Sequence, residues 1–311
     1  MGVFVFLPLV LPLTALPIAR LAEQHLHPRR AARLLTTVAV ILASCSTVCL
    51  GLLMVVGTAQ LPGNPLPDGW SDDEVREAVP HDRFVGKAAI VALVAVAASW
   101  VLTVHRHYRF RSRAHRVLAA LPSRAEVAVL SDAVPYAYAL PGAPGRIMVS
   151  TSMLACLDEA EQRALLAHER AHLSGRHHRL LLAAQLASGA NPLLRPLRSA
   201  VAYSTERWAD EEAARVTGDR RTTARAVGKA ALISHRATSP TVAAFAASGP
   251  VPRRVAALLG PVPPDHGWPP ALTATGVAAL FAAAGTAVST LSSLNAAFAL
   301  FLVLEAATPL S

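Results

Sequence analysis

Two histidines and a glutamate in the middle of the chain have the types and spacing to do chemistry. Leu165 to His178 reads LLAHERAHLSGRHH, with His168 and His172 four residues apart and Glu169 directly after the first. On a helix of 3.6 residues per turn, positions i and i+4 lie one above the other, so two imidazoles can meet one metal ion. Zinc accepts neutral imidazole nitrogens, and a carboxylate beside its open position can take a proton from water. His-Glu-x-x-His on a helix therefore brings together what metal-assisted hydrolysis needs. A chain of 311 residues with 12 His holds about 0.02 such motifs by chance.

A hydrolytic zinc site takes three protein donors and leaves one position for water. Two residues qualify as the third donor. His178 completes His-Glu-x-x-His-x-x-Gly-x-x-His, with Gly175 at the glycine, a spacing that also demands a methionine turn downstream. The methionines are Met1, Met54, Met148 and Met153, all upstream, and the apolar stretch after His178 reads as a helix continuing where such a chain would turn. Glu206, in STERWADEEAAR, is the other candidate. Asp210 follows it by one helical turn, where a carboxylate can orient a ligating histidine through its second nitrogen. Glu206, Asp210, Glu211 and Glu212 also fit a solvated acidic helix face. His177, beside His178, reads as a solvated helix face rather than a metal relay.

The elements that must position these residues belong to an apolar chain. Of its residues 53% are hydrophobic, mean hydropathy is +0.40, and 16% are charged, against roughly 25% in soluble domains. That deficit points to a membrane. The net charge of +9 then reads as arginine clustered beside apolar segments, the positive-inside bias, and no direct nucleic-acid contact is expected. Cys45 and Cys49 lie inside an apolar run and Cys156 stands alone, so there is no disulfide framework. The cysteine pair reads as small residues packing between helices.

Residues 1–104 read as three spans, at about 3–19, 34–58 and 88–104. Pro8, Pro12 and Pro17 should kink the first. Arg20, Arg29, Arg30 and Arg33 follow the first span, and Arg106, Arg109, Arg111, Arg113 and Arg116 follow the third. The loop between spans two and three carries Asp68, Asp72, Asp73, Glu74, Glu77 and Asp82 against Arg76 and Arg83. The asymmetry puts the amino terminus outside and residues 105–270 in the cytoplasm. That segment is long enough for one compact domain with its own core. Glu126 to Leu130 is a strand candidate; Pro135–Leu140 and Ile147–Ser150, joined by PGAPG, read as a hairpin. Asp158 with Glu161 three residues on is a capping box opening the His168 helix. Residues 271–311 hold an uncharged run to Leu304, read as one tilted transmembrane helix rather than a hairpin turning at Ser292 to Asn295.

SDAVPYAYALPGAPGRIMVSTSMLACL, HERAH and ERWAD, with three spans before and one after, resemble membrane zinc peptidases of the BlaR/MecR antirepressor type and their HtpX and CAAX prenyl protease relatives. The resemblance implies a multi-pass α-helical protein of the plasma membrane with a cytoplasmic α+β zincin-like (gluzincin) peptidase domain. It implies one Zn2+ per chain held by His168, His172 and Glu206, with Glu169 as the base and Asp210 behind a ligand. It further implies a strand edge at Tyr136, Tyr138 and Ala139 that holds an extended substrate. Partners would be the lipid bilayer and a protein or peptide substrate: a transcriptional repressor, a membrane protein or the chain itself. His235, Tyr203, Arg253 and Arg254 are candidates for stabilising the oxyanion, His235 and Arg254 foremost. The chain departs from the beta-lactam sensors in ending at Ser311, so their large extracellular domain is not expected, and in the charged Arg170 inside the motif. Regulatory proteolysis at the cytoplasmic face is the activity expected. A zinc-binding membrane signalling protein that does not cut is the alternative; a transporter is disfavoured because no span carries a buried ionisable group of the kind that marks ion pathways.

Overall fold

The computed structural model describes residues 5–61, 63, 66–67, 70, 82–119, 125–236, 251–263 and 273–306. Most of the acidic loop after the second apolar run lies outside them.

Proline decides the first segment. A prolyl nitrogen has no hydrogen to donate and its ring clashes with the preceding turn. The chain therefore breaks into α1 (Leu7–Val10), a 3-10 turn (Leu11–Thr14) and α2 (Ala15–His25). Because Pro12 cannot donate, the Pro8 carbonyl needs another partner, and it accepts from Ser46 Oγ at 2.7 Å. Arg20 and Glu23, expected in a loop, lie on α2. After Leu26 and His27 the chain re-enters helix at Pro28, whose missing N–H costs nothing at a first helical position, to form α3 (Pro28–Ala59). α4 follows (Asp82–Ala119).

α3 and α4 touch at two glycines. A Cβ on Gly57 would stand 2.5 Å from the Gly86 backbone, so only paired glycines allow this approach.

The sheet comes next: β1 (Val127–Leu130), β2 (Ala137–Leu140) and β3 (Arg146–Ser150), in the order β1-β3-β2. β1 runs parallel to β3, while β2 pairs antiparallel, Ala137 opposite Val149 and Leu140 opposite Arg146. Short α5 (Thr151–Ala155) leads to α6 (Glu159–Ser174). Both halves of the capping box are formed: Glu161 N–H donates to Asp158 Oδ1 at 2.8 Å and Asp158 N–H to Glu161 Oε2 at 3.0 Å. The fully buried Glu161 also pairs with Lys229 at 2.6 Å.

α6 does not continue through the second histidine pair. It ends at Ser174, Arg176 takes a left-handed conformation (φ 51°), and α7 starts at His177 and runs to Ala190. α8 (Arg195–Thr217) turns back beside it, followed by α9 (Arg220–Arg236) and α10 (Val251–Leu259). The last apolar run is one continuous helix, α11 (Ala274–Ala306), without a turn at Ser292 to Asn295.

The structure is thus mostly helical. Helices at Pro28–Ala59, Phe84–Ala119 and Ala279–Ala306 are long and apolar enough to cross a membrane. Of the segment expected as a span at 3–19, residues 7–19 form the broken α1 to α2 stretch, which is not among them. α11 lies along α3, with Cys49 Sγ 3.6 Å from Ser293 Oγ and Cys45 Sγ 3.8 Å from Thr290 Oγ1.

Residues 105–270 hold apolar clusters of their own, Val149, Met153, Leu157 and Leu165 among them, and share a further one with the first helices. Ala19, Leu35 and Leu42 of α2 and α3 cluster with Ala184, Leu197 and Val201 of α7 and α8. Asn191, at the tip between α7 and α8, donates to Leu9 O at 3.2 Å and Ser46 Oγ at 3.1 Å. The cause is composition: α7 and the start of α8 present alanine and leucine, which need an apolar partner, and the alanine-rich faces of α2 and α3 supply it.

Candidate metal centre

The cap at Asp158 sets the start of α6, and helical geometry then puts His168 and His172 on one face. Their Nε2 atoms stand 3.1 Å apart. α8 crosses this face with Glu206 and Asp210, again one turn apart. Glu206 lies 3.6 Å from His168 Nε2 through Oε2 and 3.5 Å from His172 Nε2 through Oε1. Four-coordinate binding with bonds of about 2.1 Å keeps donors about 3.4 Å apart. The donor set His168, His172 and Glu206 therefore fits a divalent metal, both in its separations and in its chemistry of two imidazoles and a carboxylate.

Each donor is held from behind. His168 Nδ1 lies 3.1 Å from Asp210 Oδ1, an ion-pair contact rather than an aligned hydrogen bond. Arg254, from α10, joins α8 to the site: its Nε and Nη2 donate to the two Asp210 oxygens at 2.8 and 2.6 Å, and its Nη1 lies 2.9 Å from Glu206 Oε2. All three guanidinium nitrogens are thereby engaged by carboxylates. His172 Nδ1 meets His177 Nδ1 at 2.9 Å.

The charges follow from these contacts. Burial opposes charge on His168, but Asp210 and Glu206 outweigh it and raise its pKa to about 10. His172 faces burial with less compensation and is lowered to about 4. Burial would raise both Glu206 and Asp210, yet Arg254, with the histidines, holds each below the usual carboxylate range. At Glu169 burial prevails over Arg254. Burial raises it to about 7, partly offset by His168 and by a hydrogen bond from the Ala139 backbone. A carboxylate near neutrality can both take and return a proton.

Of the two candidates for third donor, the structure brings Glu206 to the histidines and leaves His178 out. The break at Gly175 and Arg176 turns His177 toward His172, while His178 sits half-buried among cations. Burial and Arg111 lower its pKa to about 4. The solvated face expected for His177 is corrected: its side chain is fully buried. The signal was the glycine after a helix, which frees the next histidine to point back at it. Sequence reasoning also left Trp208 without a role; its ring packs against His177 in a tilted contact with centroids 4.4 Å apart.

The other expected residues separate. Ala139 meets Glu169 through its backbone. Tyr138 packs on the opposite face of the sheet, beside Phe110 of α4 at 6.0 Å, and Tyr136 lies against Tyr138 at 5.7 Å. Tyr203 lies under Arg253, which pairs with Glu23 at 3.0 Å. The side chain of His235 lies outside the described residues. Arg170 points away from the donors and pairs with Glu126 at 3.0 Å. Glu211 is no solvated acid, since Arg207 and Arg220 both pair with it.

No curated protein and no solved structure gives a match to the chain. The sequence model of peptidase family M48 matches residues 105–262, a stretch that contains every donor described above together with Glu169, Asp210 and Arg254. The chain belongs to peptidase family M48.

Proposed function

We propose that the protein is a membrane-embedded, zinc-dependent endopeptidase of the BlaR/MecR and HtpX/CAAX prenyl protease kind, with a gluzincin-like α+β site at the cytoplasmic face. One observation carries the reading: His168, His172 and Glu206 converge at metal-donor distances with the buried Glu169 beside them. The metal family's proteolytic chemistry supports the same conclusion. Bound zinc would supply a Lewis acid to the scissile carbonyl and to water. Glu169 takes a proton from the attacking water at its carboxylate and returns it to the leaving amine nitrogen. The β2 edge around Ala139 lies where an extended peptide can pair with it. Arg254 is engaged by two carboxylates and serves the site by holding them, so the oxyanion role expected of it is not part of this proposal.

The membrane reading rests on the three long apolar helices and on the arginines beside them. It places a protein substrate, such as a repressor, a membrane protein or a second copy of the chain, within reach of the bilayer surface. The test is cleavage of an unstructured reporter such as β-casein, or of the chain itself, by purified protein with about one zinc per chain. Glu169→Gln should keep the zinc and lose cleavage. A Glu169→Gln protein that cuts as well as wild type would falsify the mechanism, and a zinc-loaded wild type that cuts nothing would favour the non-catalytic signalling reading.

A further inference from the structure

His172 turns Nε2 toward Glu206, so its Nδ1 faces the other way and meets His177 Nδ1 at 2.9 Å. Two imidazole nitrogens at that distance make a hydrogen bond only if one carries a proton and the other a lone pair. A His172 that offers its Nε2 lone pair to a metal carries its proton on Nδ1. His177 must then accept at Nδ1, which leaves its own proton on Nε2. That atom is buried and has no hydrogen-bond partner among the described residues. A buried N–H without an acceptor costs stability, so packing alone would be served better by a phenylalanine at this position.

The ring is also locked in place. Gly175 makes room for it, since a Cβ there would stand 2.4 Å from His177 Nε2. Trp208 packs against it, tilted by 52° with centroids 4.4 Å apart, and the Trp208 ring in turn carries the guanidinium groups of Arg33 at 5.3 Å and Arg29 at 5.4 Å. Both arginines sit in the first turns of α3, just before its apolar run. The histidine ring is thus held by the domain's own helix and, through Trp208, by the end of a membrane-length helix.

Resting on the metal-centre reading above, we infer that His177 is a positioning residue. Its Nδ1 accepts the His172 Nδ1 proton and so fixes the tautomer and ring angle that aim His172 Nε2 between His168 and Glu206. Histidine ligands elsewhere use a carboxylate, a carbonyl or a water for this, and losing such a partner weakens metal binding about 10–100-fold.

The experiment is zinc and cobalt(II) affinity by chelator competition on the full chain in detergent, for wild type, His177→Phe and His177→Asn. Phenylalanine keeps a ring against Trp208 but offers no lone pair; asparagine sets an amide oxygen near the place of Nδ1. His177→Phe should bind both metals about 10–100-fold more weakly and change the visible spectrum of bound cobalt. Its melting temperature in excess chelator should match or exceed that of wild type, and His177→Asn should recover most of the affinity. Unchanged affinity in His177→Phe would overturn the inference and leave the metal centre standing. Equal losses in both variants would overturn the acceptor role and make ring packing the cause. A wild type that takes up neither metal would overturn the centre itself and this inference with it.

Discussion

The two histidines of the metal face are backed in opposite ways. Behind His168 stands charge: Asp210, itself gripped by Arg254, which also reaches Glu206. Behind His172 stand neutral rings, His177 and then Trp208, with charge only at the outer rim where Arg29 and Arg33 meet the indole. A carboxylate raises the basicity of the ligand it holds, whereas a neutral imidazole fixes direction without adding charge. Two carboxylates behind two ligands would add a further anion to a buried site that already holds Glu169, Glu206 and Asp210. One charged and one neutral support keep both rings aimed without adding that anion.

The comparison breaks most completely at the donor both sides share. Glu206→Ala should lower bound zinc from about one per chain to about none by elemental analysis, whereas His178→Ala should leave it unchanged. On the charged side, Arg254→Met leaves two buried carboxylates uncompensated. Removing one partner of a buried ion pair costs about 3–5 kcal/mol, read as a lower melting temperature in chelator that saturating zinc partly restores. Asp210→Asn keeps the shape but removes the charge behind His168, and zinc affinity should fall about 10–100-fold in chelator competition. On the neutral side, Gly175→Ala presses a methyl group into His177, and the overpacking should cost about 1–3 kcal/mol in denaturant unfolding. The smallest change is Arg29→Gln with Arg33→Gln. An exposed cation over an aromatic face contributes about 0.5–1 kcal/mol, so the double variant should lose at most a few-fold in zinc affinity. A loss as large as that of Asp210→Asn would make the indole clamp as important as the charged support.

Much of the local structure was legible. Asp158 and Glu161 announce a helix start because the two side chains satisfy backbone donors only three residues away. PYAYAL and IMVS around a glycine and proline turn announce the antiparallel pair of β2 and β3. The break of the first apolar segment follows from where prolines fall, although its division into α1, a 3-10 turn and α2 does not. Less legible were boundaries that depend on distant partners. Gly175 marked where α6 could stop; that it stops at Ser174, to leave the space above that glycine to a buried histidine, depends on packing. The length of residues 105–270 suggested apolar clusters of their own; that α7 and α8 also share one with α2 and α3 was not legible, and it arises because small apolar faces bury one another wherever they meet.

By itself the sequence determined which residues could do chemistry and that two of them share a helical face, since i and i+4 spacing is a property of the backbone. It also marked the apolar runs that become the three membrane-length helices found among the described residues. Only the tertiary structure brought Glu206 rather than His178 to the two histidines, and buried His177 against His172 rather than leaving it on a solvated surface. Those choices rest on how α8 crosses α6 and how α7 restarts after Arg176. Such angles are set by packing between elements far apart in the chain, and no local pattern encodes them.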